Sequence, residues 1–180
     1  MRINSTVTAG VIVDVQDRLF PHIHEHEQVA SKIKTLIRGL RMMELPLLLT
    51  QQYSKGLGDT VADIREEVSD LEHIEKKRFS CCGVSEFDRQ ISDSSVKNVI
   101  LMGVETHVCV LQTTLDLLAG GYQPVVVADA VSSRNQNDHL IALERIKAEG
   151  GLVTSVESIL FELTATADSP HFKEMSRLVK

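Results

Sequence analysis

Cys109 lies in the segment GVETHVCV, which follows an apolar run and leads into a helical stretch. Helix N-termini present free N–H groups and a partial positive charge, which favour thiolate over thiol. The same N–H groups can hold an oxyanion. Beside Val108, Val110 and Leu111, a lone cysteine taken by itself reads as a small buried hydrophobe. Asp14 ends the run AGVIV. Burial there would raise its pKa and make it a proton acceptor, although an aspartate in that position can equally cap a turn. Lys76 and Lys77 close a third run, IEKKRFSCC, where either could offer a fixed positive charge, and solvated lysines are the ordinary case. Cys81 and Cys82 have no base near them in sequence and read as lining of a pocket or core. His22, His24 and His26 alternate with Glu25 and Glu27. That spacing can chelate a metal on a strand, but the stretch is a polar loop after Pro21 with no further ligands, so no metal is expected. Neither GxGxxG nor GxxxxGK[ST] occurs, and no cofactor is expected.

These residues are carried by apolar runs of strand length that alternate with amphipathic helical stretches. Ala9–Val15 is rich in Val and Ile without alternation, the pattern of a strand covered on both faces. Helical periodicity over 26–44 puts Val29, Ile33, Leu36, Ile37 and Leu40 on one face. Pro46–Gln51 reads as a second strand and His73–Lys77 as a third, separated by a loop at Gly56 and Gly58 and a helix that Asp59 would cap, running through Ser69. A helix over 84–93, a fourth strand Asn98–Met102 punctuated by Gly103, and a helix from Thr106 to Gly120 follow. Gln123–Ala128 is the fifth strand, Asp138–Ala148 a helix and Leu152–Thr154 a sixth strand. The last stretch, Ser158–Lys180, is mostly helical. Such alternation implies an open α/β sheet with helices on both faces, and ligands at the carboxyl ends of its strands. Asp14, Lys76 and Cys109 all fall at such ends.

Composition narrows the classes further. The 180 residues make one domain of ordinary size, 1–180, with 43% hydrophobic and 24% charged residues. A net charge of −6 and only 4% aromatic residues argue against a nucleic-acid partner. No apolar run approaches the ~20 residues of a membrane span, and MRINSTVTAGVIVDVQ reads as a first strand and not an export signal. Three cysteines, two of them adjacent, make no disulfide framework, so a reducing, cytoplasmic setting is expected.

The joint pattern of Asp, Lys and Cys resembles the isochorismatase-like cysteine hydrolases. IVDVQDRLF resembles the family's Asp-x-Gln motif. EKKRFSCC resembles its Lys-x-x-x-Ser segment, which selects Lys76 over Lys77. GVETHVCVLQTTLDLLAGGYQPVVVADAVSSR is the fullest match, and the likeness spans about residues 8–163. It is nearest to small isochorismatase-domain proteins of unassigned substrate, because TQQYSKGLG follows strand two. The resemblance implies a Rossmann-like, three-layer αβα fold with a six-stranded parallel sheet in the order 3-2-1-4-5-6. It implies Cys109 as nucleophile on a carbonyl carbon, Asp14 as proton acceptor and donor, and Lys76 as the stabilising charge. It also implies a cis peptide between Val104 and Glu105 that aims the Glu105 N–H, with that of Cys109, at the oxyanion. The family's Asp-x-His…His metal set has no counterpart in TQQYSKGLG, so a metal-independent enzyme acting on a small amide or related carbonyl compound is expected. Gln16, Phe20, Tyr53, Phe79 and His107 are candidate substrate contacts by position. A homo-oligomer is expected, with Phe172, Met175, Leu178 and Val179 forming an apolar stripe that could serve a partner copy or the chain's own sheet. A non-catalytic interaction protein and a thiol redox sensor pairing Cys109 with Cys81 or Cys82 are the competing readings.

Overall fold

Six apolar runs become the strands β1 (Thr8–Val13), β2 (Leu47–Gln52), β3 (His73–Lys76), β4 (Asn98–Val104), β5 (Gln123–Ser132) and β6 (Leu152–Thr154). They form one parallel sheet in the order β3-β2-β1-β4-β5-β6. The structure is a computed structural model and describes residues 2–92 and 95–180. Every residue of β1 and of β4 is buried, which is why these central runs are apolar without alternation. Among the described residues eight α-helices fill the connections and follow β6: α1 (His26–Met42), α2 (Ser54–Leu57), α3 (Ala62–Glu67), α4 (Ser85–Ser92), α5 (Leu111–Ala119), α6 (Gln136–Ala148), α7 (Val156–Thr164) and α8 (Phe172–Leu178).

Successive strand residues point to opposite faces, and two cores result. Ile12, Ile100 and Met102 pack with Ile33 and Leu36 of α1, with Ile64 of α3 and with residues of α7 and α8. Val11, Val13 and Leu101 pack on the other face with Phe87 of α4, Leu117 of α5 and Ile146 of α6. This is the three-layer αβα arrangement expected. The strand order reverses between β1 and β4, and in open sheets of this kind ligands bind at the carboxyl ends of the strands where that happens.

Several boundaries differ from those expected. β1 stops at Val13 because Asp14 turns the chain with φ 52°. β4 runs on to Val104 because Gly103 continues the strand in place of ending it. Its φ is +114°, and the ladder with β5 shifts register between Leu101 and Gly103, so the glycine marks an irregularity inside the strand. β5 extends to Ser132 to match. Asp59 does not cap α3, which begins after Val61. Its Oδ1 accepts instead from the Thr60 N–H at 2.7 Å and from the Gln51 amide. α1 ends at Met42, before Glu44 turns with φ 58°. Residue 93, the expected end of α4, lies outside the described residues. The C-terminal stripe packs within its own chain, against α1 and α7: Met175 is fully buried, Leu178 and Val179 lie against the same core, and the Phe172 ring meets that of Phe161.

A Cβ on Gly103 would stand 2.1 Å from the Val13 carbonyl oxygen, which is main chain and cannot swing away. Gly103→Ala is therefore expected to destabilise the fold by about 1–3 kcal/mol, from the positive φ and the collision together. A urea melt checks this. A midpoint equal to that of the parent protein would show that the two strands separate at little cost.

Candidate active site

The carboxyl ends of β1, β2 and β3 bring four polar side chains, Asp14, Thr50, Gln52 and Lys76, into one cluster. Asp14, first residue past β1, has no exposed surface. Its Oδ1 accepts from Thr50 Oγ1 at 2.8 Å and its Oδ2 from Lys76 Nζ at 2.5 Å. Lys76 ends β3 and is 2% exposed. Its ammonium also donates to Gln52 Oε1 and to the Phe79 carbonyl, both at 2.9 Å. Each of its three protons thus has an acceptor within 3 Å. Lys77, one residue on, faces solvent, as the period of two requires.

Cys109 reaches the same cluster from β4. The chain leaves Val104 through a cis peptide bond to Glu105 and enters a single π-turn, Thr106–Val110, before α5. The Glu105 carbonyl accepts from the N–H groups of Val108 at 3.1 Å and Val110 at 3.2 Å, and passes over that of Cys109. Extra-wide turns of this kind are frequent at functional sites. The Glu105 N–H has no acceptor among the described residues, although the residue is buried. A buried donor left open calls for an explanation. The Cys109 thiol lies near enough to the Asp14 carboxylate for each to shift the other's proton affinity.

Burial raises the Asp14 pKa above its ordinary 3.8, against the opposing pull of Lys76, the Cys109 thiol and Thr50. Burial alone would lower Lys76, but Asp14, Cys109 and Cys81 outweigh it and raise the ammonium pKa. Burial, then the Asp14 charge, pushes the Cys109 thiol up, against the pull of Lys76. Loss of water and the Asp14 charge thus oppose the ionisation that the helix N-terminus and Lys76 favour, and the Asp14 carboxylate is the nearby group that can take the thiol proton. Burial also pushes Cys81 up to about 11 and Cys82 up to about 12.

The remaining expected residues divide. Gln16 is fully buried and both ends of its amide meet main chain: Oε1 accepts from the Gln52 N–H at 2.7 Å, and Nε2 donates to the carbonyls of Gln52 at 3.1 Å and Gly58 at 2.8 Å. It holds the end of β2 in place of facing the site. Phe20 is also placed away from the cluster, in the core, with His26 edge-on to its ring. Tyr53 and Phe79 are about half exposed, at 51% and 52%, and their main chains bond the Lys76 carbonyl and ammonium respectively. His107 is half-buried, with Nδ1 2.9 Å from Ser133 Oγ. Among the described residues no group of three or more His, Cys, Asp or Glu side chains is placed to hold a metal, His22, His24 and His26 included.

Thr50 and Gln52 were not singled out from sequence. Both face the cluster from β2, two residues apart, and Gln52 pairs with Lys76 across the β2–β3 ladder. Alternation along β2 from a buried Thr50 was the signal that could have found Gln52. A cavity of about 660 Å³ lies elsewhere, between α1 and α3, lined by residues such as Ala30, Lys34 and Val61.

The family model described as isochorismatase domain matches residues 8–158. The chain belongs to the isochorismatase family. Isochorismatase family protein 1B of Dictyostelium discoideum is 38% identical over 177 residues, 96% of this chain and 86% of that one. The secreted isochorismatase effector Isc1 of Phytophthora sojae is 39% identical over 94% of this chain and 82% of its own length. Among solved structures, one described as the MAR1 ribonuclease of Caenorhabditis elegans superposes with a TM-score of 0.93 at 36% identity, covering 99% of this chain and 92% of that one. The YcaC product of Escherichia coli, described as an octameric hydrolase of unknown specificity, shares the fold with a TM-score of 0.89 at 21% identity, covering 99% and 95%. The isochorismatase-like hydrolase fold is therefore that of this chain. Among the described residues no helix is long and apolar enough to cross a membrane.

Proposed function

We propose that this isochorismatase-family protein is a cysteine hydrolase that opens a small amide or related carbonyl compound through an acyl thioester on Cys109. The observation that supports this most is the convergence of Asp14, Lys76 and Cys109, each from a different strand end, in one buried cluster. Asp14 takes the thiol proton as sulfur attacks the carbonyl carbon. The carbonyl π-electrons move to oxygen, and the oxyanion falls to the N–H groups of Glu105 and Cys109, the first of which is otherwise open. Collapse breaks the C–N bond, and Asp14 returns the proton to the leaving amine. Water, deprotonated by the same carboxylate, then cleaves the thioester to acid and free thiol. Lys76 keeps Asp14 ionised between steps and holds it in register. No step draws on a cofactor. Tyr53, Phe79 and His107 are the side chains we assign to substrate contact.

The reading is tested by incubating the protein with p-nitrophenyl acetate and with a panel of small primary amides. An acetyl group on Cys109, released by hydroxylamine, is expected in the first case, and ammonia release that Cys109→Ala abolishes in the second. Acetylation spread evenly over Cys81, Cys82 and Cys109 would overturn it. RNA under the same conditions is the control suggested by the Caenorhabditis elegans relative's description. A net charge of −6 offers a polyphosphate little attraction, and strand cleavage lost in Cys109→Ala would replace the amide reading.

A further inference from the structure

Three consecutive side chains of the turn before Cys109 are tied to a single segment, the one that leaves β5. The Glu105 carboxylate, 8% exposed, accepts through one oxygen from both the Arg134 N–H at 3.1 Å and Arg134 Nε at 2.9 Å. Thr106 Oγ1 lies 2.9 Å from His139 Nδ1. His107 Nδ1 lies 2.9 Å from Ser133 Oγ, which also accepts from the His107 N–H at 3.4 Å. That segment is itself anchored: the His24 N–H donates to the Ser133 carbonyl, and Ser132 Oγ donates to the His24 carbonyl, both at 3.0 Å.

An ion pair whose guanidinium side chain is 61% exposed adds little to global stability. Its placement is more informative than its strength. It joins the side chain of the residue whose main-chain N–H stands open to a rigid strand end. We infer that the Glu105–Arg134 pair is a positioning clamp that fixes the Glu105 N–H for the oxyanion of the acyl-transfer step. This rests on Cys109 as the acyl acceptor. Arg134 touches neither sulfur nor reacting carbon; it acts through Glu105. The two contacts to one oxygen leave Glu105 little freedom to rotate, and donors to a developing charge act only where they are already aimed.

Two reactions at the same sulfur separate positioning from general loosening. Acetylation by p-nitrophenyl acetate passes through a tetrahedral oxyanion, whereas alkylation by iodoacetamide displaces iodide with no oxyanion. Second-order rates for both are measured at Cys109 by mass spectrometry in the parent protein, Arg134→Ala, Arg134→Lys and Glu105→Gln. Arg134→Ala should slow acetylation about ten-fold or more, toward the loss seen when an oxyanion donor is removed, and leave alkylation within about two-fold. Glu105→Gln keeps an acceptor oxygen of the same shape and should fall between parent and Arg134→Ala. Arg134 is mostly exposed, so its variants should fold, and matching far-ultraviolet spectra and melting curves establish that they do. Equal slowing of both reactions, or of neither, overturns the clamp while leaving Cys109 as acyl acceptor. A parent protein whose Cys109 takes no acetyl group overturns the acyl-transfer reading itself, and the clamp with it.

Discussion

Asp14→Asn is expected to slow acylation of Cys109 by about 10²–10⁴-fold, the usual contribution of a positioned general base. The substitution keeps size and one oxygen, which can accept from Lys76 while the new amide N–H donates to the Thr50 hydroxyl, so both neighbours keep a partner while the proton acceptor is removed. Its effect should depend on pH. In the parent protein the base works only when ionised, and burial holds its pKa above the ordinary 3.8. The rate should fall as pH drops through that raised value, giving an acid limb above the normal carboxylate range. The Asn variant should lack that limb and show only the rise from thiol ionisation at high pH, since burial pushes the Cys109 pKa up. Stopped-flow acylation between about pH 4 and 10 follows the acid limb and the foot of the alkaline rise. An unchanged acid limb in Asp14→Asn would assign the base elsewhere.

The second large effect concerns stability. Lys76→Met should destabilise the fold by about 3–5 kcal/mol, because it leaves the Asp14 carboxylate buried without its counter-charge. The double variant Asp14→Asn, Lys76→Met should recover most of that loss, since two neutral groups need no pairing. The sign of the pH dependence follows from the direction of the Asp14 shift. With the ammonium gone, burial is opposed only by hydrogen bonds, so the folded state binds the Asp14 proton more tightly than the unfolded chain does. Between the two pKa values the folded state carries more protons, and stability falls as pH rises. Lys76→Met should thus be more stable near pH 5 than near pH 8, and urea melts at both values check it. In the parent protein the raised Lys76 pKa acts with the same sign but at higher pH: its stabilisation is fully present below the unfolded value of 10.5 and lost as pH climbs through the folded one. A double variant no more stable than Lys76→Met alone would show that the two groups do not act as a pair.

The carboxyl-edge placement of Asp14, Lys76 and Cys109 was legible from local signals, and the sheet order from the family resemblance. Unbroken Val and Ile runs mark β1 and β4, and motif spacing picks Lys76 over Lys77. What stayed hidden depends on tertiary surroundings. Whether Cys109 rests as thiol or thiolate turns on how much water is lost and how near Asp14 lies, neither of which a sequence states. Gln16 sits in a recognisable motif, yet its bonds to Gln52 and Gly58 join segments 36 and 42 residues away. Gly103 reads as a strand end because glycine is depleted in strands, but here it admits the Val13 carbonyl to a neighbouring strand at close range. Thr50 and Gln52 look like ordinary strand residues until the β2–β3 register sets Gln52 beside Lys76.

β3 is four residues long, lies at the margin of the sheet and has a single neighbour, β2. Its backbone ladder alone is a weak attachment, yet its last residue sends an ammonium inward to bond three separate chain segments. The cation to which we assign a part in the chemistry is thus also the rivet that fastens the outermost ribbon. A slip of one residue would swing Lys76 outward and Lys77 inward together with the whole ribbon, so correct alignment of this border and assembly of the reactive centre are a single event.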